Sequence, residues 1–354
     1  MQIGFCQIDS TECRGGLTRT AYTQCRADSL KSDHSFEGQG LLNDLASVVD
    51  RILTRRKIPR SARSKPLCRY VSFDTFRKMT KDAFREISDA GELEGTMKYG
   101  RGLDLQVMDA ETMNDPWEGL FLIDRARSFR ADSSDRKRKL YSLFEDATDT
   151  KVVPFDDDDP IFVCSFSSDL DNLDLWRHYC NAHGVCLVFT PSADVTFYTI
   201  EYGDEAADVV LEQLGWVLEP ILEKYSDELN RKARAIIRPI RYLFKSKGHM
   251  SDQEFRIVES TQDWQKMKME GSGNDEKSVS SGNDEKSVRR LYLLHEGFFY
   301  SRKSPADKVI VGPLAPTLDV ERGDRAFLKE VKWRLHRFAL GDIPVVRSKH
   351  ILRY

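Results

Sequence analysis

The sequence predicts an α+β fold with mixed, mainly antiparallel sheets and flanking helices. Strand-like segments are separated by helical segments of uneven length, and they lack the regular βαβ spacing of a doubly wound sheet. The strongest local pattern is a strand, turn, short helix and second strand between Ile161 and Phe189. The sequence has no G-x-G-x-x-G motif, no Walker loop and no H-E-x-x-H motif. Together these observations favour α+β over doubly wound α/β.

The central pattern is built from local signals that agree with one another. Residues 161–167 alternate with period two and are rich in β-branched and aromatic side chains, as in a strand. Asn172 and the aspartates before it supply turn and N-cap chemistry. Trp176 lies on one face of the short helix that follows, and Gly184 ends that helix. Residues 185–189 are an apolar run, as in a buried strand.

Before this pattern, the sequence predicts one strand and two helical segments. Residues 66–73 read as a short strand after a proline start. Residues 74–90 read as a helix with Asp74 as its N-cap. An Asn-Asp-Pro sequence in residues 113–120 predicts a turn, because the residue before proline is biased away from helix. Residues 125–145 form a charged helical stretch.

After the central pattern, strands and helices continue in mixed order. Residues 197–202 read as a strand, and residues 205–243 as helices broken near Pro220 and Pro239. Residues 251–259 have strand character after an acidic start.

The last quarter of the chain adds two strands, a helix and an extended end. Residues 291–294 and 309–311 read as strands, residues 324–340 as a helix and residues 344–354 as an extended segment. Trp216, Trp264 and Trp333 are expected to be core or half-buried packing residues.

Composition excludes several classes of protein. The 354 residues, 40% of them hydrophobic and 31% charged, are typical of a globular chain of one large or two ordinary domains. A net charge of −3 argues against bulk electrostatic binding of nucleic acid. No apolar run approaches the ~20 residues that span a bilayer, and no secretory signal is visible. Seven cysteines without regular spacing favour reduced thiols, so we expect a cytoplasmic protein without membrane association.

The chain is expected to divide into an extension and a main domain. Residues 1–64 are poor in apolar periodicity, apart from a helical pattern at 40–58, and are predicted to be partly helical or disordered. Residues 65–354 form the predicted α+β domain. Within it, the octapeptide SGNDEKSV occurs twice in succession, which predicts a mobile surface loop at 270–289.

Four segments carry residues suited to opening the N-glycosidic bond of a dinucleotide. An arginine fork can clamp a phosphate or ribose, and a serine hydroxyl can orient that group. An aromatic face can stack on a nicotinamide ring. A carboxylate can hydrogen-bond the ribose and stabilise the oxocarbenium-like charge as the base leaves. The candidates in chain order are Arg69, Tyr70, Ser165, Ser167, Trp176, Tyr179, Asp252 and Glu254.

Each candidate also has a structural interpretation. Arg69 can be a surface residue of an edge strand, and the two serines can simply face a helix. Glu254 can pair with Arg256 or with another cation. The functional interpretation depends on all four segments meeting at one cleft.

Six motifs resemble a known family. RYVSF, NDPWEG, FVCSFSSDLDNLDLWRHYCNAHGVCLVF, DQEFRIV, VIVGP and PVVRSKHILRY occur in this order between residues 66 and 354. In this pattern the chain resembles the family catalogued as domain of unknown function 2971. The long third motif is specific, whereas NDP and GP alone are weak signals.

The resemblance implies an ADP-ribosyltransferase-like fold, because the family's domain is similar in strand order to NAD-dependent ADP-ribosyltransferases. Those enzymes place a basic residue, a serine or tyrosine and a glutamate on three successive strand motifs. By motif, Arg69 takes the first position, Ser165 opens the S-x-S motif, Tyr179 stacks on the ring and Glu254 is the catalytic acid. Asp252 stands where arginine-modifying transferases often carry Glu or Gln, which leaves the acceptor open.

The predicted function is therefore an NAD-dependent mono-ADP-ribosyltransferase of the kind found in toxins or anti-phage defence. NAD is its expected substrate, the acceptor is an undetermined protein or nucleic acid, and an antitoxin or defence partner is expected. The alternative is a non-catalytic module of the same fold that binds a nucleotide or a protein.

Metal-based alternatives have weaker support. The spacing lacks the C-x₂₋₄-C pairs of a zinc site, so we predict no metal from the five residues Cys164, His178, Cys180, His183 and Cys186. A Cys–His nucleophile in the same segment lacks an orienting carboxylate. A nuclease would need a divalent metal at the acidic run of residues 156–159 and ranks last.

Overall fold

The computed structural model shows a mixed sheet with helices on both faces. The residues that it describes are 19–59, 65–80, 102–110, 119–128, 160–180, 184–192, 194–224, 227–260, 267–269, 291–300, 304–313, 320–338 and 340–350. The predicted turn at 113–120, the acidic run at 156–159, Trp264, His183 and the predicted loop at 270–289 lie wholly or largely outside these ranges.

The strands of the described chain are numbered here in chain order. They are β1 Leu67–Ser72, β2 Leu103–Asp109, β3 Ile161–Ser167, β4 Gly184–Phe189, β5 Tyr198–Thr199, β6 Glu201–Tyr202, β7 Phe244–Lys245, β8 Glu254–Ser260, β9 Met267–Met269, β10 Leu291–Phe299, β11 Lys308–Val311 and β12 Val345–Arg347.

The helices are numbered in the same way. They are α1 Arg19–Arg56, α2 Phe73–Met79, α3 Phe121–Ser128, α4 Leu173–Cys180, α5 Asp204–Lys224, α6 Asp227–Ile237 and α7 Val320–Arg337, with 3₁₀ turns at Arg238–Leu243 and Lys247–Asp252.

Ten of these strands form one sheet, whose main path runs β12-β11-β4-β1-β3-β2-β10-β9. The pairs are antiparallel except for β11 with β12, which is parallel. Strand β3 pairs over its whole length with β8, and β8 in turn pairs with β5. The other edge of β3 is shared, because β1 meets Ser167 whereas β2 meets Phe162 and Val163. The expected α+β class with a mixed sheet and flanking helices is therefore confirmed.

Alternation along β3 separates two buried layers. Ile161 and Val163 pack with helices α1, α3, α5 and α6, on what we call the helical face. Phe162, Cys164 and Phe166 pack on the other side, the aromatic face, against α2, α7 and a group of phenylalanines. Because successive side chains of a strand point to opposite sides, each residue of the sheet belongs to one of these two faces.

Helix α1 is an integral part of the helical face. Its apolar residues Leu45, Val49 and Ile52 are buried against α5 and α6. The helix extends from Arg19 to Arg56, a longer segment than the predicted 40–58.

Several local predictions are wrong. The N-cap of α2 is Ser72 and not Asp74, since the Ser72 hydroxyl accepts from the Thr75 amide. The break expected near Pro220 is absent, since α5 continues through Pro220 to Lys224. Leu218 and Ile221 on either side of this proline are fully buried, so tertiary packing offsets the lost backbone hydrogen bond. The expected strand at 251–259 begins later, at Glu254, because residues up to Asp252 form a 3₁₀ turn and Gln253 has a φ of 43°.

None of the described helices is long and apolar enough to cross a bilayer.

Candidate functional site

The connection between β3 and α4 is closed by hydrogen bonds from distant strands. The Tyr70 hydroxyl donates to the Asp169 carbonyl at 2.8 Å and accepts from the Asn172 amide at 2.7 Å. The Asn172 side chain in turn accepts from the Asp174 and Leu175 amides and so caps α4. Burial raises the pKa of Tyr70 well above its ordinary value. Tyr70 is therefore placed to hold the turn.

The two aromatic residues of α4 differ in their surroundings. Trp176 is fully buried, its ring lies edge-to-face with Tyr70 at 4.8 Å, and its Nε1 donates to Asp171 at 2.7 Å. Tyr179 is 48% exposed on the outer side of the helix. Stacking of a ligand ring on Trp176 would require the helix to move, whereas Tyr179 is accessible.

Asp171 also binds the segment that follows β12. Its carboxylate accepts from the Ser348 hydroxyl at 2.7 Å and from the Lys349 amide at 2.9 Å. Burial opposes ionisation of this carboxyl, but hydrogen bonds from Trp176, Lys349 and Ser348 outweigh it and lower its pKa. Asp171 thus joins α4 to the segment after β12.

Glu254 lies in a group of ionisable side chains on the helical face. We call this group, Tyr202, Lys245, Asp252, Glu254 and Arg256, the Glu254 cluster. Arg256 Nε lies 2.5 Å from Glu254 Oε1, and Lys245 Nζ lies 2.6 Å from Glu254 Oε2. The Arg256 guanidinium also donates to the Tyr242 carbonyl, and the Tyr202 hydroxyl accepts from the Glu254 amide.

The charge of Glu254 is matched by these neighbours. Both Glu254 and Arg256 are buried, and the Lys245 side chain is only 12% exposed. Burial alone would raise the pKa of Glu254, but Arg256 and then Lys245 lower it to about 2. The carboxylate is therefore ionised at neutral pH and already bound by two cations, which is the structural interpretation considered from the sequence.

Asp252 lies at the outer edge of this cluster. Its carboxylate is 3.7 Å from Lys245 Nζ and 3.6 Å from His249 Nδ1. Its backbone carbonyl accepts from the Ser167 hydroxyl at 2.6 Å. Ser167 and Asp252 therefore meet, but the serine hydroxyl is engaged with backbone, since it also accepts from the Asp169 amide.

Arg69 lies on the other side of the sheet. Its neighbours Leu67 and Val71, which share its face of β1, pack in the aromatic layer. Its guanidinium is 5.7 Å from the Phe166 ring and donates to the Ser165 carbonyl at 2.9 Å and to the Cys164 thiol.

Ser165 and Glu254 point to the opposite, helical side. Ser165 pairs with Arg256 and Ser167 pairs with Glu254 in the register of β3 and β8, so these four side chains share one face. The structure thus brings Ser167, Asp252 and Glu254 together. It does not bring the Arg69 guanidinium to them, because the sheet lies between.

The cysteines packed around α4 are packing residues. Cys68, Cys180 and Cys186 are buried between α4 and the sheet. Burial raises the pKa of Cys180 to about 12, so its thiol is protonated at neutral pH. Across the described ranges, no group of three or more His, Cys, Asp and Glu side chains is arranged to hold a metal ion.

Comparison with protein-family models, curated proteins and solved structures finds no match to this chain.

Sequence reasoning missed three members of the Glu254 cluster or its edge. Tyr202 falls within the predicted strand at 197–202 and Lys245 lies on β7, but strands of two residues do not reveal from the sequence that β6 and β7 pair in parallel. Lys247 lies beside them, with its aliphatic chain against Gly203, where φ is 93° and an added Cβ would be 2.6 Å from the lysine Cε. A basic spacing of Lys245, Lys247 and His249 before the acidic pair was the available signal.

Proposed function

We propose that this chain is a non-catalytic nucleotide-binding module. The observation that carries the non-catalytic part of the proposal is the state of Glu254, which is buried and bound by Arg256 and Lys245. A catalytic glutamate must reach the ribose of NAD, and a buried carboxylate paired with two cations would have to give up a contact to do so. Arg69, on the opposite face, supports the same conclusion.

We assign nucleotide binding to the solvent-accessible edge of the Glu254 cluster. We call the three side chains Lys247, His249 and Asp252 the rim. His249 is 58% exposed, Lys247 is exposed, and Asp252 is 14% exposed. A carboxylate accepts hydrogen bonds from ribose hydroxyls, and an ammonium and an imidazole pair with phosphate oxygens. The rim thus offers the two groups that a nucleotide requires.

The transferase reaction, with NAD as substrate and a protein or nucleic acid as acceptor, stays a prediction. So do membership in the family catalogued as domain of unknown function 2971, the ADP-ribosyltransferase-like strand order, the cytoplasmic location and an antitoxin or defence partner. Release of nicotinamide from NAD reports catalysis directly, so measuring it tests the transferase reaction.

For the wild-type chain we expect NAD to raise the melting temperature by roughly 1–3 °C near saturation, since ligand binding stabilises the folded state by mass action. Asp252→Asn should reduce this shift, because the amide loses the charge that orders Lys245 and His249 and one acceptor for the ribose. Differential scanning fluorimetry with and without NAD measures both. Asp174→Asn, an exposed aspartate on α4, is the matched control and should keep the full shift.

A second experiment measures nicotinamide release from NAD in the presence of cell lysate. We expect none from wild type. Release by wild type that disappears in a folded Glu254→Gln variant would overturn the non-catalytic proposal and support the transferase. Absence of any NAD-dependent shift in wild type would overturn the nucleotide-binding part.

A further inference from the structure

An open groove of about 510 Å³ lies beside the last turns of α7. Lys332, Trp333 and His336 form one wall, and Asp342 and Pro344 in the connection to β12 form the other. Small-molecule sites in proteins typically enclose about 300–1,000 Å³, so the groove has the size for one nucleotide-sized ligand. Helix α7 packs on the aromatic face, whereas Glu254 points to the helical face. The groove is therefore separate from the rim.

The Trp333 indole is held in place although it is 51% exposed. The Arg337 guanidinium carbon lies 4.8 Å from the ring centroid and that of Arg334 lies 5.9 Å away, both within the range of a cation–π contact. Arg334 is itself fixed by Glu330 at 2.8 Å and by the Thr80 hydroxyl at 3.1 Å. Part of the indole beside the groove stays exposed next to these two guanidinium groups, and an exposed aromatic surface can stack a planar ring.

Cationic groups lie on the same wall. Lys332 and His336 are one helical turn apart and both line the groove. His336 is kept close to the opposite wall, because a Cβ added at Gly341 would lie 2.7 Å from its Nδ1. Only a glycine leaves this space, so the imidazole lies close to the connection to β12, and Lys332 lines the same groove one turn earlier on α7.

We propose that this groove binds a nucleoside monophosphate. The base stacks on Trp333, the phosphate pairs with Lys332 and His336, and the Asp342 carboxylate lies where a ribose hydroxyl can donate to it. The combination of an aromatic surface and adjacent cations selects a ligand that carries both a ring and an anionic group. The site is assigned from the groove alone and does not depend on the rim.

Isothermal titration of the full chain with AMP, adenosine and inorganic phosphate tests this assignment. AMP should bind saturably, and Trp333→Ala should weaken it about tenfold or more, because base stacking is lost. Trp216→Ala is the matched control: this tryptophan is 62% exposed on α5 and lies outside the groove, so AMP binding should be unchanged. Trp333→Phe keeps an aromatic ring and should keep most of the affinity.

Lys332→Ala separates stacking from phosphate contact, since it should weaken AMP binding and leave adenosine binding unchanged. Equal AMP affinity in wild type and Trp333→Ala would overturn the proposal. Absence of saturable binding at ~10 mM AMP would overturn it too, because a site with a Kd of ~1 mM would then be about 90% occupied. Stronger binding of a single-stranded oligonucleotide than of AMP would replace the mononucleotide by nucleic acid as the ligand. The NAD-dependent shift in Asp252→Asn is a separate measurement, so either proposal can fail alone.

Discussion

Replacing Glu254 by alanine should lower the free energy of unfolding by about 3–5 kcal/mol, because the buried Arg256 guanidinium would lose its counter-charge. Lys245 would lose its 2.6 Å contact to Glu254 as well, whereas its 3.7 Å contact to Asp252 would remain. Urea-induced unfolding followed by far-ultraviolet circular dichroism measures the loss. Glu259→Ala is the matched control on the same strand. That glutamate is partly exposed and pairs with His295 at 3.4 Å, so its removal should cost less than about 1 kcal/mol.

A double variant distinguishes a lost charge from a lost contact. Replacing Glu254 by leucine and Arg256 by methionine removes both buried charges, and such replacements are often neutral or stabilising. We expect the double variant to recover most of the stability that Glu254→Ala loses. If the free energy of unfolding of Glu254→Ala lies within about 1 kcal/mol of the wild-type value, the Glu254–Arg256 pair does not stabilise β8 and the structural role of Glu254 is wrong.

The pH dependence of stability gives an independent check on the same carboxylate. The pKa of Glu254 is lowered to about 2 in the folded chain, from an ordinary value of 4.5. The contribution of the ionised Glu254 carboxylate to folding stability is therefore complete above about pH 4.5 and is lost as the pH falls through about 2. The stability difference between wild type and Glu254→Gln should shrink between pH 5 and pH 3. A constant difference over this range would contradict the lowered pKa.

Replacing Trp176 by alanine should cost about 3–5 kcal/mol, the range for truncating a fully buried large aromatic side chain. The variant also loses the hydrogen bond from Nε1 to Asp171, a residue that binds the end of the chain. Trp176→Phe keeps most of the buried ring and should cost less, about 1–2 kcal/mol. Urea midpoints of the three proteins measure the series.

The control for this series is Trp216→Ala, since an exposed tryptophan on a helix surface should contribute about 0.5 kcal/mol or less. The series also decides between two roles of Trp176. A ring that stacks on nicotinamide could be truncated without loss of stability but with loss of the NAD-dependent shift. That result would return Trp176 to the ligand site and contradict its role as a packing residue.

The local design of the central segment was readable from the sequence because it depends on neighbours in the chain. Period-two alternation, an Asn cap and an apolar run place β3, α4 and β4 where the structure has them, but Gly184, which was predicted to end the helix, is the first residue of β4. The break near Pro220 was misjudged because burial of Leu218 and Ile221 is a long-range property.

The candidate site was less predictable because it depends on strand register. Residues on both sides of Arg69 are apolar and buried, so β1 has no polar side that would reveal which face the arginine occupies. Its direction follows from pairing of Arg69 with Leu187 in β4, more than a hundred residues later. Pairing of Glu254 with Arg256 was anticipated, because two opposite charges two residues apart on a strand share a face.

The role of Trp333 was also not predictable from the sequence. A tryptophan in a basic helix is compatible with half-buried packing and with ligand binding, and composition does not separate them. The difference arises from Gly341 and the connection to β12, which leave an open space beside the indole.

The hydrogen bonds from Asp171 to Ser348 and Lys349 join residues separated by 177 and 178 positions in the chain. The strand order has the same consequence, because β11 lies beside β4 and β12 lies beside β11, so this edge of the sheet is formed by strands that come late in the chain. During synthesis, β4 therefore cannot acquire β11 as its neighbour until residues 308–311 have left the ribosome.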